Sequence, residues 1–402
     1  MNHLHPVRNV RATPQRSVLI SGAGVAGPAL AFWLNRYGLA VTVVEKAETL
    51  RAGGYPVDVR GTALEVVRRM GLLPQLREAH IELRRLTFLG PEGSEVASIN
   101  PHVLTGGVAG DLEVPRGDLI RTLHTAVRDD VEFLFNDSID TLEQSPHKVD
   151  VTFRRGDRRT FDMVIGADGL HSRTRGLLFG PEEHFHRYLG HCFAGFTMPN
   201  TFGLSHETVV WNTPGRAAAL YAVDPHTDLH ALLNFAHPEP PPHAFRTPQS
   251  PQDLVAAVFA DAGWEIPRMV NALRNANDLF FDKVGQIRMP HWSNGRVALV
   301  GDAAYAPSFL TGQGTSLALV GAYMLANSLA DQGHASGFAA YEHHTREFVT
   351  LNQDQVDKGD ATLFPTTLQA LKQRNELLRN LNATPPEKGR PAHSALTLPT
   401  FT

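Results

Sequence analysis

A glycine-rich turn near the beginning of the chain constrains the fold more than any other feature of the sequence. The turn, Gly22-Ala-Gly24-Val-Ala-Gly27, follows the apolar run Ser17–Ser21. Glycines at this spacing let a strand turn tightly into a helix and leave backbone N–H groups open to a pyrophosphate. The sequence predicts that helix over residues 25–37 and a second strand over residues 41–44. The region is therefore typical of a strand–helix–strand unit that binds a dinucleotide.

Two charged residues lie where the second predicted strand ends. Glu45 closes this strand, and Lys46 follows it. An acidic residue about 20 positions after the glycine turn can hold the ribose hydroxyls of a bound adenosine. Because FAD and NAD both bind to units of this kind, the unit alone does not distinguish between them.

Length, composition and charge indicate a globular protein of more than one domain that acts on a small molecule. The chain has 402 residues, of which 42% are hydrophobic and 19% are charged. Its net charge of -4 shows no basic excess, which argues against nucleic acid or an anionic membrane as a partner. The single cysteine, Cys192, cannot form an internal disulfide, and we find neither a secretory signal nor a membrane-spanning apolar run. We therefore expect a cytoplasmic protein, as a monomer or a weak homo-oligomer.

A second motif follows the apolar run 163–167. It reads Asp168-Gly169-Leu-His-Ser172-Arg-Thr-Arg175. A glycine here permits close approach of a ligand to the backbone, and Arg173 or Arg175 can offer planar charge to a phosphate. The alternative is a plain strand-end turn with Arg175 in a surface ion pair. An NAD dehydrogenase has no need of this motif, so its presence favours a flavin.

A third motif follows the apolar run 297–300. It begins with Gly301-Asp302-Ala-Ala, and Gly312-Gln-Gly314 opens a predicted helix that starts at Thr315. A carboxylate at the end of a buried strand, followed by small residues, can accept hydrogen bonds from a flavin ribityl chain. The two later glycines let the helix begin close to the flavin ring. The helix N-terminus would favour the negative charge that the reduced ring carries at its N1–C2=O edge.

Taken in this order, the three motifs resemble those of the single-component FAD-dependent aromatic hydroxylases, the para-hydroxybenzoate hydroxylase-like family of group A flavoprotein monooxygenases. The resemblance covers roughly the first 345 residues and is strongest to the compact branch of tetracycline-inactivating monooxygenases. It implies an α/β (α+β) fold, in which a Rossmann-like FAD-binding domain carries a second, mostly antiparallel β-sheet substrate domain and C-terminal helices.

The resemblance also implies roles for individual residues. Asp168-Gly169 would lie near the FAD pyrophosphate and the route of NADPH, and Asp302 would hold the ribityl chain. Tyr305 and Ser308 depart from the common family pattern of His and Pro. The candidate cofactor-binding residues are Gly22, Gly24, Gly27, Glu45, Lys46, Arg51, Asp58, Arg116, Asp168, Gly169, Arg175, Gly301, Asp302, Pro307, Gly312, Gly314 and Thr315. We nominate no catalytic acid or base.

The 20 histidines show no metal-ligand spacing, so we expect no metal site. Five residues of the second lobe are candidates for the substrate pocket, although a core role is favoured for the apolar ones: His191, Phe193, Phe196, Trp211 and Tyr221.

The resemblance implies a function with three small-molecule partners besides the substrate. FAD would accept electrons from NADPH or NADH and react with O2, and the C4a-hydroperoxide so formed would hydroxylate an aromatic or polycyclic small molecule. Two alternatives stay open. One is another flavin chemistry on the same fold, such as Baeyer–Villiger insertion, epoxidation or reduction of a prenyl double bond. The other is a flavin-fold binding protein without turnover.

Changes in the predicted secondary structure and composition along the chain divide it into five regions. They are a flexible segment over residues 1–16, a discontinuous FAD-binding domain over 17–184 and 291–345, a substrate-binding β-sheet domain over 185–290, C-terminal helices over 346–384, and a disordered tail over 385–402.

Overall fold

Two large sheets form the framework of the protein in a computed structural model, which describes residues 16–50, 53–101, 103, 110–241, 249–330, 332–381 and 391–400. The strands are β1 (Ser17–Ser21), β2 (Ala40–Glu45), β3 (Pro56–Val59), β4 (Arg85–Leu89), β5 (Glu95–Ile99), β6 (Leu112–Pro115), β7 (Glu132–Phe135), β8 (Ile139–Gln144), β9 (Val149–Phe153), β10 (Arg158–Phe161), β11 (Met163–Gly166), β12 (His186–Met198), β13 (Glu207–Thr213), β14 (Arg216–Ala222), β15 (Leu229–Ala236), β16 (Phe280–Ile287), β17 (Ser293–Asn294) and β18 (Val297–Leu299).

The helices lie between these strands and after the last of them. They are α1 (Ala26–Arg36), α2 (Thr62–Met70), α3 (Leu73–Glu78), α4 (Arg116–Thr125), α5 (Arg173–Leu178), α6 (Gln249–Val258), α7 (Ile266–Asn275), α8 (Asp302–Tyr305), α9 (Gly314–Ala330), α10 (His334–Gln353), α11 (Val356–Leu363) and α12 (Leu368–Asn380).

The first large sheet is the predicted Rossmann-like core. Its strand order is β17-β18-β11-β1-β2-β7, and all neighbours are parallel except β17 and β18. Residues Val18, Leu19 and Ile20 of β1 are fully buried, as expected for a strand covered on both faces. Since β1 lies between β2 and β11, the strand order reverses there. The carboxyl end of β1 is therefore the position at which folds of this class bind ligands.

The second large sheet is mostly antiparallel, as predicted. Its order is β16-β12-β15-β14-β13-β4-β5, and only the β13–β4 pair is parallel. The sheet reaches beyond the predicted segment 185–290, because β4 and β5 come from residues 85–99. Only pairing with β13, which a local pattern does not show, places them in this sheet.

Helices α6 and α7 cover one face of the second sheet, where the sequence pattern predicted strands alone. The alternating residues Phe196, Leu233 and Phe235 of the sheet share a buried core with Phe259 and Met269 from this helical segment. The opposite face of the sheet is turned toward other parts of the chain, including Leu378 of α12, which packs with Phe88 of β4.

The C-terminal tail corrects one expectation. We predicted disorder over 385–402, but residues 391–400 are docked on helices α2 and α9. Thr62 Oγ1 donates a hydrogen bond to the Leu396 carbonyl at 2.9 Å, and Tyr323 Oη donates one to the Pro399 carbonyl at 2.7 Å. The tail is held largely through its backbone carbonyls, which explains why its proline-containing, polar sequence gave no signal of order. Residues 385–390, 401 and 402 lie outside the described part.

Two other expectations concern the ends of predicted elements. The segment 1–16 lies outside the described residues except for Arg16, which donates to the carbonyls of Leu329 and Gln332. The C-terminal helices predicted over 346–384 are the end of α10 together with α11 and α12, and Pro365 lies in the break between the last two. Within the described ranges, no helix is both long enough and apolar enough to cross a bilayer.

Candidate cofactor site

The three motifs meet at one edge of the first sheet. The glycine turn follows β1, Asp168-Gly169 follows β11, and Gly301-Asp302 follows β18, and these three strands are neighbours. Because the strands are parallel, their carboxyl ends lie side by side. Segments that are widely separated in sequence therefore form one site.

Two glycines of the first turn are required by packing, and one faces open space. Gly22 has φ +109°, and a Cβ there would lie 2.5 Å from the Ala167 carbonyl oxygen. A Cβ on Gly27 would overlap the carbonyl of Gly22. In front of Gly24, by contrast, no atom of the described residues lies within 4 Å of the position of a Cβ. The glycine turn is thus built against β11, with the Gly24 position left open on the side where a ligand can approach.

Glu45 is held at the end of β2 by the turn itself. Its Oε2 accepts the Ala23 N–H at 2.8 Å, and its Oε1 accepts the Ala47 N–H at 3.0 Å. A carboxylate oxygen can accept more than one hydrogen bond, so both oxygens retain capacity for ribose hydroxyls. Lys46 beside it is exposed. Arg51 lies outside the described residues.

Asp302 lies in a concave part of the surface, the cleft beside the start of α9. Its side chain is exposed to solvent, yet surrounding protein desolvates the carboxylate and raises its pKa, an effect that the charge of Arg116 opposes. Exposure together with desolvation is the mark of a concave site. A Cβ on Gly314 would lie 3.8 Å from Asp302 Oδ1, so the first turn of α9 begins beside this carboxylate. Gly301, with φ +66°, makes the preceding turn.

The loop before α9 is tied to strand β3. Gly312 has φ +65°, and a Cβ there would lie 3.0 Å from Asp58 Oδ2. The other oxygen of Asp58 accepts Arg60 Nη2 at 2.7 Å. The Arg60 N–H in turn donates to Ser316 Oγ at 3.1 Å, in the first turn of α9. Asp58 and the loop thus form one wall of the cleft, and Thr315 is half-buried beside it.

Pro307 and Gly169 lie in the segments that follow β18 and β11 at the site. Pro307 is buried, and its carbonyl accepts Gln286 Nε2 at 3.0 Å, which anchors the loop to β16. Gly169 has φ +85° with open space in front of it. Asp168 is fully engaged within its own motif, since it accepts Ser172 Oγ at 2.5 Å and both the N–H and the Oγ1 of Thr174 at 2.9 Å.

The arginines of the second motif correct a further expectation. Arg175 is fully buried and is neither a phosphate-facing group nor a surface ion. It donates to the Ala303 carbonyl at 3.0 Å, the Leu170 carbonyl at 2.7 Å and the Glu182 carboxylate at 2.7 Å. Arg175 therefore links the second motif to the third through buried hydrogen bonds. Arg173 is also occupied, because it donates to the Ile139 carbonyl and to Asp140.

His171, which was not among the predicted site residues, connects the second motif to the second sheet. Its Nδ1 lies 2.9 Å from Glu182, and its Nε2 lies 2.9 Å from Asp282 of β16. The hydrogen bonds to Asp282 and Glu182 raise the pKa of His171 to about 9. His171 is part of the second motif, but its partners Glu182 and Asp282 are too distant in sequence to be paired with it from the sequence alone.

Glu113 was also missed. It lies on β6 directly opposite Asp58 of β3. Burial and the negative charge of Asp58 raise the pKa of Glu113 to about 7. Its partner is set by strand register, for which the sequence holds no local signal.

The five candidate pocket residues divide between the two faces of the second sheet. Phe196 and Trp211 belong to the core beneath α6 and α7, as favoured for apolar residues. Phe193 points the other way, with its ring 4.8 Å from that of Phe309, just before Gly312. His191 Nε2 lies 3.0 Å from Asp360, and Tyr221 Oη donates to Glu113 at 3.0 Å.

In the part of the chain that the structure describes, no group of three or more His, Cys, Asp or Glu side chains is arranged to hold a metal ion.

Comparison with known proteins agrees with this architecture. A flavin-dependent monooxygenase of an unknown prokaryotic organism is 35% identical over 369 residues, covering 90% of this chain and 95% of the relative. An uncharacterized protein of Mycobacterium tuberculosis is 42% identical over 342 residues, covering 84% of this chain and 92% of the relative.

The crystal structure of the tetracycline destructase Tet(55) superposes with a TM-score of 0.83 at 32% identity, covering 97% of this chain and 100% of that one. Residues 15–356 match the FAD binding domain family. The chain therefore belongs to the FAD binding domain family and is a flavoprotein enzyme of the flavin-dependent monooxygenase type.

Proposed function

We propose that the protein uses NAD(P)H and O2 to hydroxylate an aromatic or polycyclic small molecule at a single FAD site. The observation that carries this proposal is the convergence of the three motifs at the adjacent carboxyl ends of β1, β11 and β18. The similarity to flavin-dependent monooxygenases and to a tetracycline destructase supports it. Because the relatives carry the names of enzymes, the alternative of a binding protein without turnover is not retained.

The residues at this edge fit an extended FAD molecule. The open space at Gly24, with the N-terminus of α1 behind it, suits the pyrophosphate, and Glu45 suits the adenosine ribose. Asp302 suits the ribityl hydroxyls: it is a desolvated carboxylate that solvent still reaches, with Arg116 balancing its charge. The loop at Gly312 and the start of α9 suit the flavin ring. Bound there, FAD supplies hydride acceptance and oxygen activation.

The chain's own contribution is to position the flavin ring and to favour its reduced form. The N-terminus of α9 directs its partial positive charge at the region of Gly312 and Gly314, where the reduced ring would carry negative charge. The second sheet reaches the same region through Phe193, whose ring lies 4.8 Å from that of Phe309. No side chain in the described part has to act as an acid or base on the substrate for this role.

Aromatic side chains beside the Gly312 loop support a planar substrate. The Phe309 side chain is 43% exposed although it is large and apolar. Its ring lies 4.8 Å from that of Phe193 and 6.0 Å from that of Phe364. Next to Phe193 across the β12–β15 pair, Asn234 is buried, and neither polar atom of its amide has a hydrogen-bond partner among the residues that the structure describes. Stacking surfaces beside an unsatisfied amide suit a ring system with polar substituents.

The test is the fate of molecular oxygen. We expect the FAD-loaded enzyme to oxidise NADPH faster when a polycyclic phenol, with tetracycline as the first probe, is present. With ¹⁸O2, the product should gain one labelled oxygen atom by mass spectrometry. A product with two added hydrogens, or no NADPH consumption across a broad panel of aromatic compounds, would contradict the proposal. Product NMR then separates a phenol from a lactone or an epoxide.

A further inference from the structure

Two acidic side chains face each other beside the proposed flavin site. Strands β3 and β6 pair antiparallel, and in their register Asp58 lies opposite Glu113. Carboxylates placed directly opposite in a strand pair repel each other, so one of them tends to keep its proton. Asp58 already has a cationic partner, since Arg60 donates to its Oδ1 at 2.7 Å. Within the described ranges no cation lies so close to Glu113, and it is the member of the pair that burial and Asp58 drive toward the neutral form.

The Asp58–Glu113 pair connects the cleft to solvent. On one side, Asp58 Oδ2 lies 3.0 Å from the place where a Gly312 Cβ would be, at the loop that opens α9. On the other side, both residues of the pair line a cavity of about 50 Å³, whose lining includes the exposed residues His80 and Glu82. A cavity of this size has room for a few water molecules. Water can therefore deliver protons to the pair without passing through the flavin cleft.

The charged and titratable groups around Glu113 come from every described element that packs on it. Tyr221 Oη of β14 donates to Glu113 Oε1 at 3.0 Å and stabilises its charged form. Arg60 has the same effect through its charge. Desolvation and Asp58 act in the opposite direction and are the larger influences. Among the described residues, the charged and titratable groups that line the cavity or bond to Glu113 are Asp58, Arg60, His80, Glu82, Asp111 and Tyr221.

We propose that Glu113 takes up a proton from solvent when the bound flavin is reduced, so that the Asp58–Glu113 pair compensates the negative charge of the reduced ring. The proposal rests on the proposed FAD site. Two electrons and one proton pass to FAD as hydride from the nicotinamide. One further proton passes from solvent to the Glu113 carboxylate, where the only new bond is the carboxyl O–H bond. By linkage, a protonated pair favours reduction and an ionised pair opposes it.

The test is the midpoint potential of the bound FAD, measured against pH by anaerobic reductive titration. A two-electron, one-proton couple changes its equilibrium tenfold per pH unit, which is about 30 mV. Below the Glu113 pKa of about 7 we expect that slope, because the carboxyl is protonated in both redox states. Above it we expect the slope to approach a hundredfold per pH unit. A wild-type slope of one proton per two electrons on both sides would overturn the proposal.

Three variants identify the group. Glu113→Gln should show the single-proton slope throughout, whereas Glu82→Gln, the same change at the exposed part of the cavity lining, should retain the excess slope. Tyr221→Phe removes the phenol and keeps the carboxyl, so it should also retain the excess slope. An excess slope that survives in Glu113→Gln, or one that is lost in Tyr221→Phe, would contradict the assignment.

A second measurement on the wild-type holoenzyme needs no variant. Photochemical reduction in weakly buffered solution with an indicator dye should take up nearly one proton more per flavin above the Glu113 pKa than below it. Equal uptake on both sides would overturn this proposal while leaving the proposed function intact. A protein that binds no FAD would contradict the proposed function itself, and this proposal with it.

Discussion

At the scale of single residues, the glycine turn separates what the fold needs from what the ligand needs. Gly22 and Gly27 are glycines because protein atoms occupy the space that a Cβ would take. A Cβ on Gly24 would meet no atom of the described part of the chain, and the residue has an ordinary backbone conformation, so packing within that part gives no reason for a glycine there. The same motif thus contains two structural positions and one whose identity points to a ligand.

A matched pair of substitutions tests this distinction. Gly27→Ala should lower the free energy of unfolding by about 1–3 kcal/mol, because the new methyl group overlaps the Gly22 carbonyl. Gly24→Ala should leave the stability of the FAD-free protein nearly unchanged but weaken FAD binding about tenfold or more. Chemical denaturation and FAD titration measure the two effects. Equal losses of stability in both variants would show that Gly24 is structural.

Asp302 is a second residue that points to a ligand, because its carboxylate lowers the stability of the FAD-free protein. Its desolvated carboxylate destabilises the FAD-free protein, which functional sites commonly tolerate. Asp302→Ala should therefore keep or slightly raise the melting temperature without FAD. FAD affinity should fall roughly ten- to a hundredfold, the range for losing hydrogen bonds to a charged group. Undiminished flavin retention in Asp302→Ala would place the ribityl chain elsewhere.

At the scale of elements, the sequence predicts best where each segment carries its own signal. Strands β1, β11 and β18 are short apolar runs followed by Gly or Asp, so their places in a parallel sheet could be predicted. The additions of β4 and β5, the Asp58–Glu113 register and the buried position of Arg175 depend on partners far away in sequence. A single sequence carries no local pattern for such pairings.

The docked tail is the element that sequence reasoning misjudged most clearly. Removing residues 391–402 should destabilise the protein, because it deletes the buried side chains of Ala392 and Leu398 and leaves the Asn352 amide without the Ala392 carbonyl. Calorimetry should show a lower melting temperature. Tyr323→Phe, which removes one hydroxyl from the tail contact, should cost only about 1 kcal/mol. A truncated chain as stable as the full chain would mean that the tail contributes nothing.

At the scale of the whole molecule, a charged contact joins the segment after β11 of the first sheet to β16 of the second sheet. His171 and Glu182 belong to the first lobe as the sequence divides it, and Asp282 to the second sheet. The domain division itself remains a proposal. The geometry places the His171 imidazole between two carboxylates at the junction of the two sheets, next to Asp168-Gly169.

This contact makes stability depend on pH in a defined direction. The pKa of His171 is raised to about 9, so its stabilisation is fully present below the ordinary histidine pKa of about 6.5 and is lost as pH rises through about 9. Because the side chain is half exposed, we expect about 1 kcal/mol or less. Denaturation between pH 6 and 10 should show this loss in wild type and not in His171→Asn. The exposed His343→Asn should behave as wild type.

The central claim is that three distant motifs build one working flavin site. Anaerobic titration of the purified, FAD-reconstituted protein with NADPH, followed at the visible flavin band, tests it most directly. The account predicts a yellow protein with about one FAD per chain whose band NADPH bleaches, faster when a polycyclic phenol is present. A protein that stays colourless in excess FAD, or whose bound flavin NADPH cannot bleach under any of these conditions, would contradict it.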